Sequence, residues 1–254
     1  MIKVAVSGYA GRMGSAVVDA VKAAEDMTLV CGIDPCFKAA DFSVYATIND
    51  ALDNETFDVL VDFTQPDVVK NTLKVALEAG VNCVVGTTGL STDTLEQLAS
   101  HAQKGACLFF APNFTTGAVL MMEFSKLASS YFPEAEVIEY HHCNKKDAPS
   151  GTAMRTAEII AQARDFISQA PGKETEISGA EGARGALIEG VPVHSVRSMG
   201  FVASQEVIFG SMGQTLTIRH DSWDRTSYMP GVLLGIRSVQ DKKGLIVGLE
   251  NFMD

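Results

Sequence analysis

The chain has 254 residues, of which 46% are hydrophobic and 20% are charged, a composition typical of a globular protein with one large or two modest domains. Its formal net charge of -11 argues against a nucleic-acid partner, because a polyanion would be repelled without a strong local basic patch. No apolar run approaches the roughly 20 residues needed to span a bilayer, and the first residues reach glycines too early for a signal peptide, so we expect a cytoplasmic protein without a membrane partner.

The five cysteines are scattered along the chain, with no C-x-x-C pair and no zinc spacing. We therefore expect no metal site and mostly buried thiols.

Strand and helix patterns alternate through the first 114 residues. Strands are predicted at 2–8, 27–34, 57–63, 81–85 and 107–112, with helices at 12–24, 67–79 and 92–102. The strands are almost entirely apolar, which indicates a parallel sheet covered by helices on both faces. The sequence therefore predicts an α/β domain with a Rossmann-type doubly wound parallel sheet over residues 1–114.

A different pattern follows from residue 115. Helices are predicted at 116–129 and 151–164, and strands at 136–142, 191–200, 205–211 and 215–221, the last three antiparallel. A polar stretch rich in glycine and glutamate follows residue 164. We predict a second, mixed α+β domain over residues 115–221. Residues 222–254 carry a helix from about residue 228 and a strand at 244–249, and we assign them to the first domain, although the sequence leaves that return open.

A glycine-rich turn lies where the first strand meets the first helix. The spacing of Gly8, Gly11 and Gly14 is G-x-x-G-x-x-G, one residue away from the common dinucleotide fingerprint. Glycines there let the backbone approach a pyrophosphate, which the N-terminal amides of the helix stabilise. Asp34 ends the second strand, where a carboxylate can accept both ribose hydroxyl hydrogens. The alternative for Asp34 is a loop aspartate that caps the next turn.

Two further loops follow predicted strands, at 62–66 (DFTQP) and 86–89 (GTTG). Ligands of open parallel sheets bind at such carboxyl ends. Small residues there let the backbone approach a flat ring, so we expect the GTTG loop to lie beside a nicotinamide. A plain loop without a ligand remains the alternative.

The segment EYHHCNKKDAPSGTA, residues 139–153, combines groups suited to proton transfer and anion binding. Lys145 and Lys146 supply positive charge, and the PSGT sequence at 149–152 begins a helix with free amides and hydroxyls. A histidine with a pKa near neutrality can move a proton as a hydride arrives. The alternative is a solvated basic loop capped by Ser150.

The same segment closely resembles the signature E-x-H-H-x-x-K-x-D-A-P-S-G-T-A of the 4-hydroxy-tetrahydrodipicolinate reductases of the diaminopimelate route to lysine. The motifs GYAGRMG, DFTQP, GTTG, APNF, HSVR and RHDSWDR occur in that family's order, so the resemblance covers essentially the whole chain. It implies an NADH- or NADPH-dependent oxidoreductase with a Rossmann domain. It also implies a second domain that binds a small dicarboxylate substrate and builds a homotetramer.

The resemblance also implies roles for individual residues. His141 falls on the position of the proton donor or acceptor, and Lys145 on that of a proton donor and substrate ligand. Further substrate positions are those of His142, Ser150, Gly151, Thr152 and Arg225. Cofactor positions are those of Gly8, Tyr9, Ala10, Gly11, Arg12, Met13, Asp34, Gly86, Thr87, Thr88, Ala111, Pro112, Asn113 and Phe114.

One departure bears on the cofactor. Many family members end the second strand with an acidic residue followed by an arginine that serves the 2′-phosphate of NADPH, whereas this chain has Asp34 followed by Pro35. Arg12 and Lys38 are the remaining candidate phosphate partners. We predict that NADH is at least as effective as NADPH.

Two other functions compete with this one. Cys143 could be a nucleophile activated by His142 in acyl transfer, but neighbouring residues of a strand face apart and no oxyanion partner is evident. A nucleotide-sensing regulator that lost catalysis would keep the Rossmann domain, but it gives no reason for the HHCNKKDAPSGT sequence.

Overall fold

Two compact units make up the chain, described by a computed structural model over residues 1–36, 40–164 and 182–253. The first unit consists of Met1–Thr116 and Arg225–Asp254, and the second of Gly117–Asp224. Lys38 and most of the polar stretch predicted after residue 164 lie outside the described residues. Within the described ranges, no helix is both long and apolar enough to cross a membrane.

The first unit begins with six strands and four helices. In chain order they are β1 (Ile2–Ser7), α1 (Arg12–Ala23), β2 (Met27–Ile33), β3 (Ser43–Tyr45), α2 (Ile48–Asn54), β4 (Val59–Asp62), α3 (Pro66–Ala79), β5 (Asn82–Val85), α4 (Thr92–Ala99) and β6 (Cys107–Phe110).

The second unit follows. Its elements are α5 (Thr116–Ser129), β7 (Glu134–His141), α6 (Gly151–Gln162), β8 (Ala186–Ile188), β9 (Val191–Arg197), β10 (Ala203–Ser211) and β11 (Gln214–Ser222). The chain then completes the first unit with α7 (Met229–Ser238), β12 (Gly244–Val247) and three 3₁₀ turns at Arg225–Tyr228, Val239–Asp241 and Leu249–Phe252.

The first sheet is parallel throughout, in the order β12-β6-β5-β4-β1-β2-β3. Apart from β12, this is the doubly wound Rossmann order, in which the direction of winding reverses between β1 and β4. All residues of β4 and β6 are buried, as expected for strands covered on both faces. The predicted doubly wound sheet is confirmed, and β12 does return to it by pairing with β6.

The second sheet is mixed, in the order β11-β10-β7-β9-β8. Strands β10 and β11 are antiparallel to each other, and β10 is antiparallel to β7. The prediction that residues 191–200 form an antiparallel strand was wrong for its main contact, because β9 runs parallel to β7 and is antiparallel only to the short β8. The α6 crossover between β7 and β9 permits this direction, and α6 packs Ala153, Ala157 and Ile160 into the core beneath.

Candidate active site

The turn after β1 has a conformation that requires glycine. Gly8 has a φ of +79°, in the left-handed region, and its carbonyl accepts a hydrogen bond from the Gly11 N–H at 3.0 Å. A Cβ on Gly14 would lie 2.0 Å from that same carbonyl oxygen. The G-x-x-G-x-x-G spacing therefore lets the first turn of α1 pass directly over the end of β1.

Helix α1 begins without a side-chain cap. Its N-cap residue is Gly11, which has no side chain to accept a hydrogen bond from the first turn. No acidic residue lies in that turn, so its N–H groups and the helix dipole are free to stabilise a phosphate. The ring of Tyr9 packs against Phe42 and fills the space that a Cβ on Gly32 would need.

A cleft of about 600 Å³ opens beside this turn, within the usual range for a small-molecule site. Residues of its wall come from the ends of β1, β2 and β4, and include Gly8, Gly11, Asp34, Thr47 and Thr64. The wall contains Gly8, where the backbone leaves no room for a Cβ, and the polar side chains of Asp34, Thr47 and Thr64. The residues present therefore fit a dinucleotide.

Asp34 caps the turn after β2 and also lines the cleft. Its Oδ1 accepts a hydrogen bond from the Cys36 N–H at 2.9 Å, so one oxygen caps the turn. The residue also lines the cleft. Arg12 is exposed and lines a different cavity of about 390 Å³, on the other side of Gly11, together with Lys22.

The loops after β4 and β5 are joined by a buried carboxylate. Asp62 is fully buried, and its Oδ1 accepts hydrogen bonds from the hydroxyls of Thr64 and Thr87 at 2.8 and 2.7 Å. Thr87 Oγ1 in turn accepts the Thr64 N–H at 2.8 Å. Burial raises the pKa of Asp62, against the lowering effect of these hydrogen bonds. Gly86 leaves room for the Phe63 ring, whose nearest atom would lie 2.0 Å from a Cβ there.

The loop after β6 is held in place by buried side chains and by a hydrogen bond of Asn113. Ala111 and Phe114 are buried, and the Phe114 ring packs 5.7 Å from both Phe63 and Phe109. Asn113 Oδ1 accepts the Thr115 N–H at 2.9 Å, which closes the loop. Of the remaining predicted cofactor residues, Arg12, Thr88 and Pro112 are exposed, and Ala10 and Met13 are partly buried.

In the second unit, a buried carboxylate contacts His141. Glu139 is fully buried on β7, and its Oε2 lies 2.5 Å from Nδ1 of His141. A carboxylate can only accept there, so Nδ1 carries the hydrogen and Nε2 remains for a ligand. The ring of His141 is mostly buried, with 14% of its side chain exposed.

Arg197 and the start of α6 complete the surroundings of Glu139. Two guanidinium nitrogens of Arg197 donate to the two carboxylate oxygens, each at 2.8 Å, and the Ser150 N–H donates at 3.2 Å. Burial opposes ionisation of Glu139, but the hydrogen bonds from Arg197, Ser195 and His141 outweigh it and hold the pKa of the carboxyl below its usual value. Glu139 is therefore ionised at neutral pH.

The pKa of His141 is lowered. Burial is the largest cause, Glu139 acts in the opposite direction, and the positive charges of Lys145 and Arg197 add to the lowering. His141 is therefore poised to release a proton readily once it is protonated.

The N-terminus of α6 has the form of an anion site. Ser150 is the N-cap, and its Oγ accepts the Ala153 N–H at 3.2 Å. A Cβ on Gly151 would meet nothing within 4 Å, so space lies open over the first turn. Lys145 is mostly buried, and its Nζ lies 2.8 Å from Asp147, which lowers the pKa of that carboxyl. The limited exposure of Lys145 is unlike a solvated loop, whereas the exposed Lys146 and the capping bond of Ser150 agree with that alternative.

Of the remaining candidate residues, His142, Gly151 and Arg225 are exposed, and Thr152 is partly buried. His142 follows the end of β7, and no hydrogen bond joins it to Cys143 in the described part of the chain. The acyl-transfer alternative gains no support from this geometry. Arg225 begins a 3₁₀ turn and belongs to the first unit.

Sequence reasoning gave no role to Glu139 or Arg197. One signal was available, because strand alternation puts Glu139 on the same face of β7 as Val137 and His141, and a charged residue on a buried face needs a partner. The partner was not readable, since it depends on the parallel register that sets Arg197 beside His141.

The features of the first unit define the class of protein. The parallel sheet, the glycine turn and the cleft beside it are those of a Rossmann-type nucleotide-binding protein. Family models give the narrower assignment: one described as dihydrodipicolinate reductase, N-terminus, matches residues 2–114, and one described as dihydrodipicolinate reductase, C-terminus, matches residues 117–253. The chain belongs to this family, and the resemblance read from its motifs is confirmed.

Similar proteins agree over the full length. The chain is 49% identical to a 4-hydroxy-tetrahydrodipicolinate reductase of Listeria welshimeri serovar 6b, covering 100% of both, and 48% identical to that of Mycolicibacterium smegmatis, covering 100% and 99%. A structure of dipicolinate-bound dihydrodipicolinate reductase from Paenisporosarcina sp. TG-14 superposes with a TM-score of 0.91 at 41% identity, covering 99% of each chain. An amine dehydrogenase from Mycobacterium smegmatis, with a TM-score of 0.66 at 13% identity over 98% and 95% of the chains, shares the fold alone.

Proposed function

We propose that the chain catalyses the reduction of 4-hydroxy-tetrahydrodipicolinate to tetrahydrodipicolinate, with NADH or NADPH as the reductant, in the diaminopimelate route to lysine. The observation that carries the proposal is the pairing of His141 with buried Glu139 beside the α6 N-terminus, in a chain whose relatives over the full length are these reductases. The inactive-regulator alternative is not favoured, because it needs none of these groups.

The proposed substrate site lies in the second unit. Dipicolinate, the molecule bound by the similar Paenisporosarcina structure, is a small ring with two carboxylates. The N–H groups of Gly151 and Thr152 at the start of α6, together with Lys145, suit one such carboxylate. Ser150 orients that turn through its capping bond, and its hydroxyl hydrogen remains available to donate.

The proposed cofactor site lies in the first unit, with the pyrophosphate on the Gly8 turn and the nicotinamide beside the loops held by Asp62. The 4-hydroxyl group of the substrate leaves as water together with a neighbouring ring hydrogen, which gives an unsaturated ring. A bound nicotinamide would supply the hydride that adds to a carbon of this ring. His141 moves the compensating proton through Nε2, while Glu139 holds the hydrogen on Nδ1. Lys145 keeps the carboxylate in place and provides a second proton donor near it.

For the cofactor, we expect NADH to be at least as effective as NADPH. Asp34 offers a carboxylate on the cleft wall, which favours ribose hydroxyls over a phosphate. Pro35 has no N–H to donate to a phosphate, and Arg12 lines the neighbouring cavity rather than the cleft.

We further expect a cytoplasmic homotetramer assembled through the second units. The edge strand β11 offers backbone groups for pairing, and large apolar side chains near it are exposed, with Met212 at 98% and Trp223 at 76% exposure.

One coupled assay tests the activity. The unstable substrate is made in place by its synthase, and the loss of nicotinamide absorbance is followed with NADH and with NADPH. Turnover that depends on the synthase supports the proposal. Tight cofactor binding without turnover would instead support the regulator.

A further inference from the structure

Glu139 has an environment that a purely structural acid would not need. It is fully buried, yet it contacts the histidine assigned to proton transfer, an arginine on a neighbouring strand and the backbone at the start of α6. Burying an ion costs several kcal/mol unless its partners compensate. Here they do, because Arg197 binds both carboxylate oxygens.

The two carboxylate oxygens of Glu139 accept hydrogen bonds from different groups. Oε2 accepts hydrogen bonds from Nδ1 of His141 and from one nitrogen of Arg197. Oε1 accepts hydrogen bonds from the other nitrogen of Arg197 and from the Ser150 N–H. One carboxylate thus fixes the ring of His141 and the N-cap residue of the helix that begins the proposed anion site. Movement of either element would disturb the other through the same group.

We propose that Glu139 is the positioning residue of this reductase: it fixes His141 in the Nδ1–H form, keeps Nε2 directed to the substrate, and ties the ring to the start of α6 through Ser150. Arg197 supports this role by keeping Glu139 ionised. The inference rests on the proposed function in one respect, that His141 moves the proton.

The charge of Glu139 has a measurable effect on His141. Among the described residues, the charged groups with the largest effect on that ring are Glu139 on β7, which raises its pKa, and Lys145 in the following loop and Arg197 on β9, which lower it. Removing the negative charge of Glu139 leaves the two positive charges and the burial, so the pKa of His141 should fall further.

The first experiment needs no substrate. We would titrate ¹⁵N-histidine-labelled protein by NMR, with His141→Gln identifying the resonance. In the unmodified protein we expect the neutral ring to carry its hydrogen on Nδ1. In Glu139→Gln, which can still accept that hydrogen, the titration should move to lower pH by about 1–3 units.

The chain contains a matched control. Glu136 lies on the same strand and pairs with His194 at 2.8 Å, away from His141. Glu136→Gln should leave the titration of His141 and the pH profile of kcat unchanged. In Glu139→Gln the limb of the kcat profile that belongs to His141 should shift to lower pH by the same amount as the NMR titration, with little change in KM for NADH.

Several outcomes overturn the inference. An Nε2–H tautomer of His141 in the unmodified protein overturns the inference. This measurement needs no variant, so the inference can be tested even if Glu139→Gln does not fold. A folded Glu139→Gln protein with an unchanged His141 titration also overturns the inference. It would show that Glu139 forms a structural ion pair with Arg197. If the unmodified protein shows no turnover in the coupled assay, the proposed function fails, while the NMR result still decides the role of Glu139.

Discussion

At the scale of single residues, the proposed proton transfer depends on one ring nitrogen. His141 uses Nδ1 for Glu139, so Nε2 alone is left for the substrate. Replacement of the ring removes the proton carrier but leaves the cofactor cleft of the first unit untouched.

We predict that His141→Gln lowers kcat by about a hundred- to ten-thousand-fold, the usual contribution of a positioned acid or base. The dissociation constant of NADH, measured by fluorescence titration, should change little. Turnover close to that of the unmodified enzyme would show that another group moves the proton.

Asp34 gives the second prediction at this scale. Its carboxylate accepts ribose hydroxyls but repels the roughly two negative charges of a 2′-phosphate. Asp34→Ala should shift the ratio of kcat/KM toward NADPH by roughly ten-fold, or about 1.4 kcal/mol. A hundred-fold preference for NADPH in the unmodified enzyme would rule out this role for Asp34.

At the scale of elements, the loops after β4 and β5 act as one piece, because Thr87 is a donor to Asp62 and an acceptor for the Thr64 N–H. Thr87 is buried whereas its neighbour Thr88 is exposed, which gives an adjacent pair for comparison.

We predict that Thr87→Val lowers the free energy of unfolding by about 1–3 kcal/mol, since it removes two hydrogen bonds at nearly constant shape, one of them to the buried Asp62 carboxylate. The Thr64 N–H and hydroxyl still donate to Asp62 Oδ1 in the variant. Thr88→Val should change it by less than about 0.5 kcal/mol. Denaturant unfolding of both variants measures the difference. Equal stabilities would mean that the direct bonds from Thr64 to Asp62 are sufficient without Thr87.

The elements also show what the sequence could and could not reveal. The parallel strands of the first sheet were readable because burial on both faces makes them continuous apolar runs. Strand β3, with three residues, and helix α2, with seven, were missed because they are too short to show a period. The direction of β9 was misread because alternation reports which faces are buried and says nothing of strand direction.

The same limit applies to the candidate site. The sequence singles out His141, Lys145 and Ser150 because they belong to one contiguous motif, and their roles stay predictions. The pairing of Glu139 with Arg197 joins residues 58 apart and depends on strand register, which the sequence does not display.

At the scale of the whole molecule, the second unit exposes an edge strand with apolar neighbours, and the formal charge of -11 keeps unspecific association low. A specific interface is the expected use of such an edge.

We predict a particle of four 27.1 kDa chains by light scattering at micromolar concentration. Leu216→Lys on β11 should weaken this assembly, because it places a charge among the exposed apolar side chains of the edge. Lys243→Glu in the first unit serves as a charge-changing control. A monomer at micromolar concentration would contradict the prediction.

The return of β12 to β6 has a consequence for synthesis on the ribosome. The second unit, Gly117–Asp224, emerges complete before α7 and β12 have been made, so its sheet can form first. Until then β6 is an unpaired edge, and Phe109 lacks α7, where Gly235 packs against its ring. A messenger RNA truncated after codon 224 would therefore encode the whole second unit and a first unit that lacks α7 and β12. We expect quality-control proteases to degrade such a product before it binds a dinucleotide.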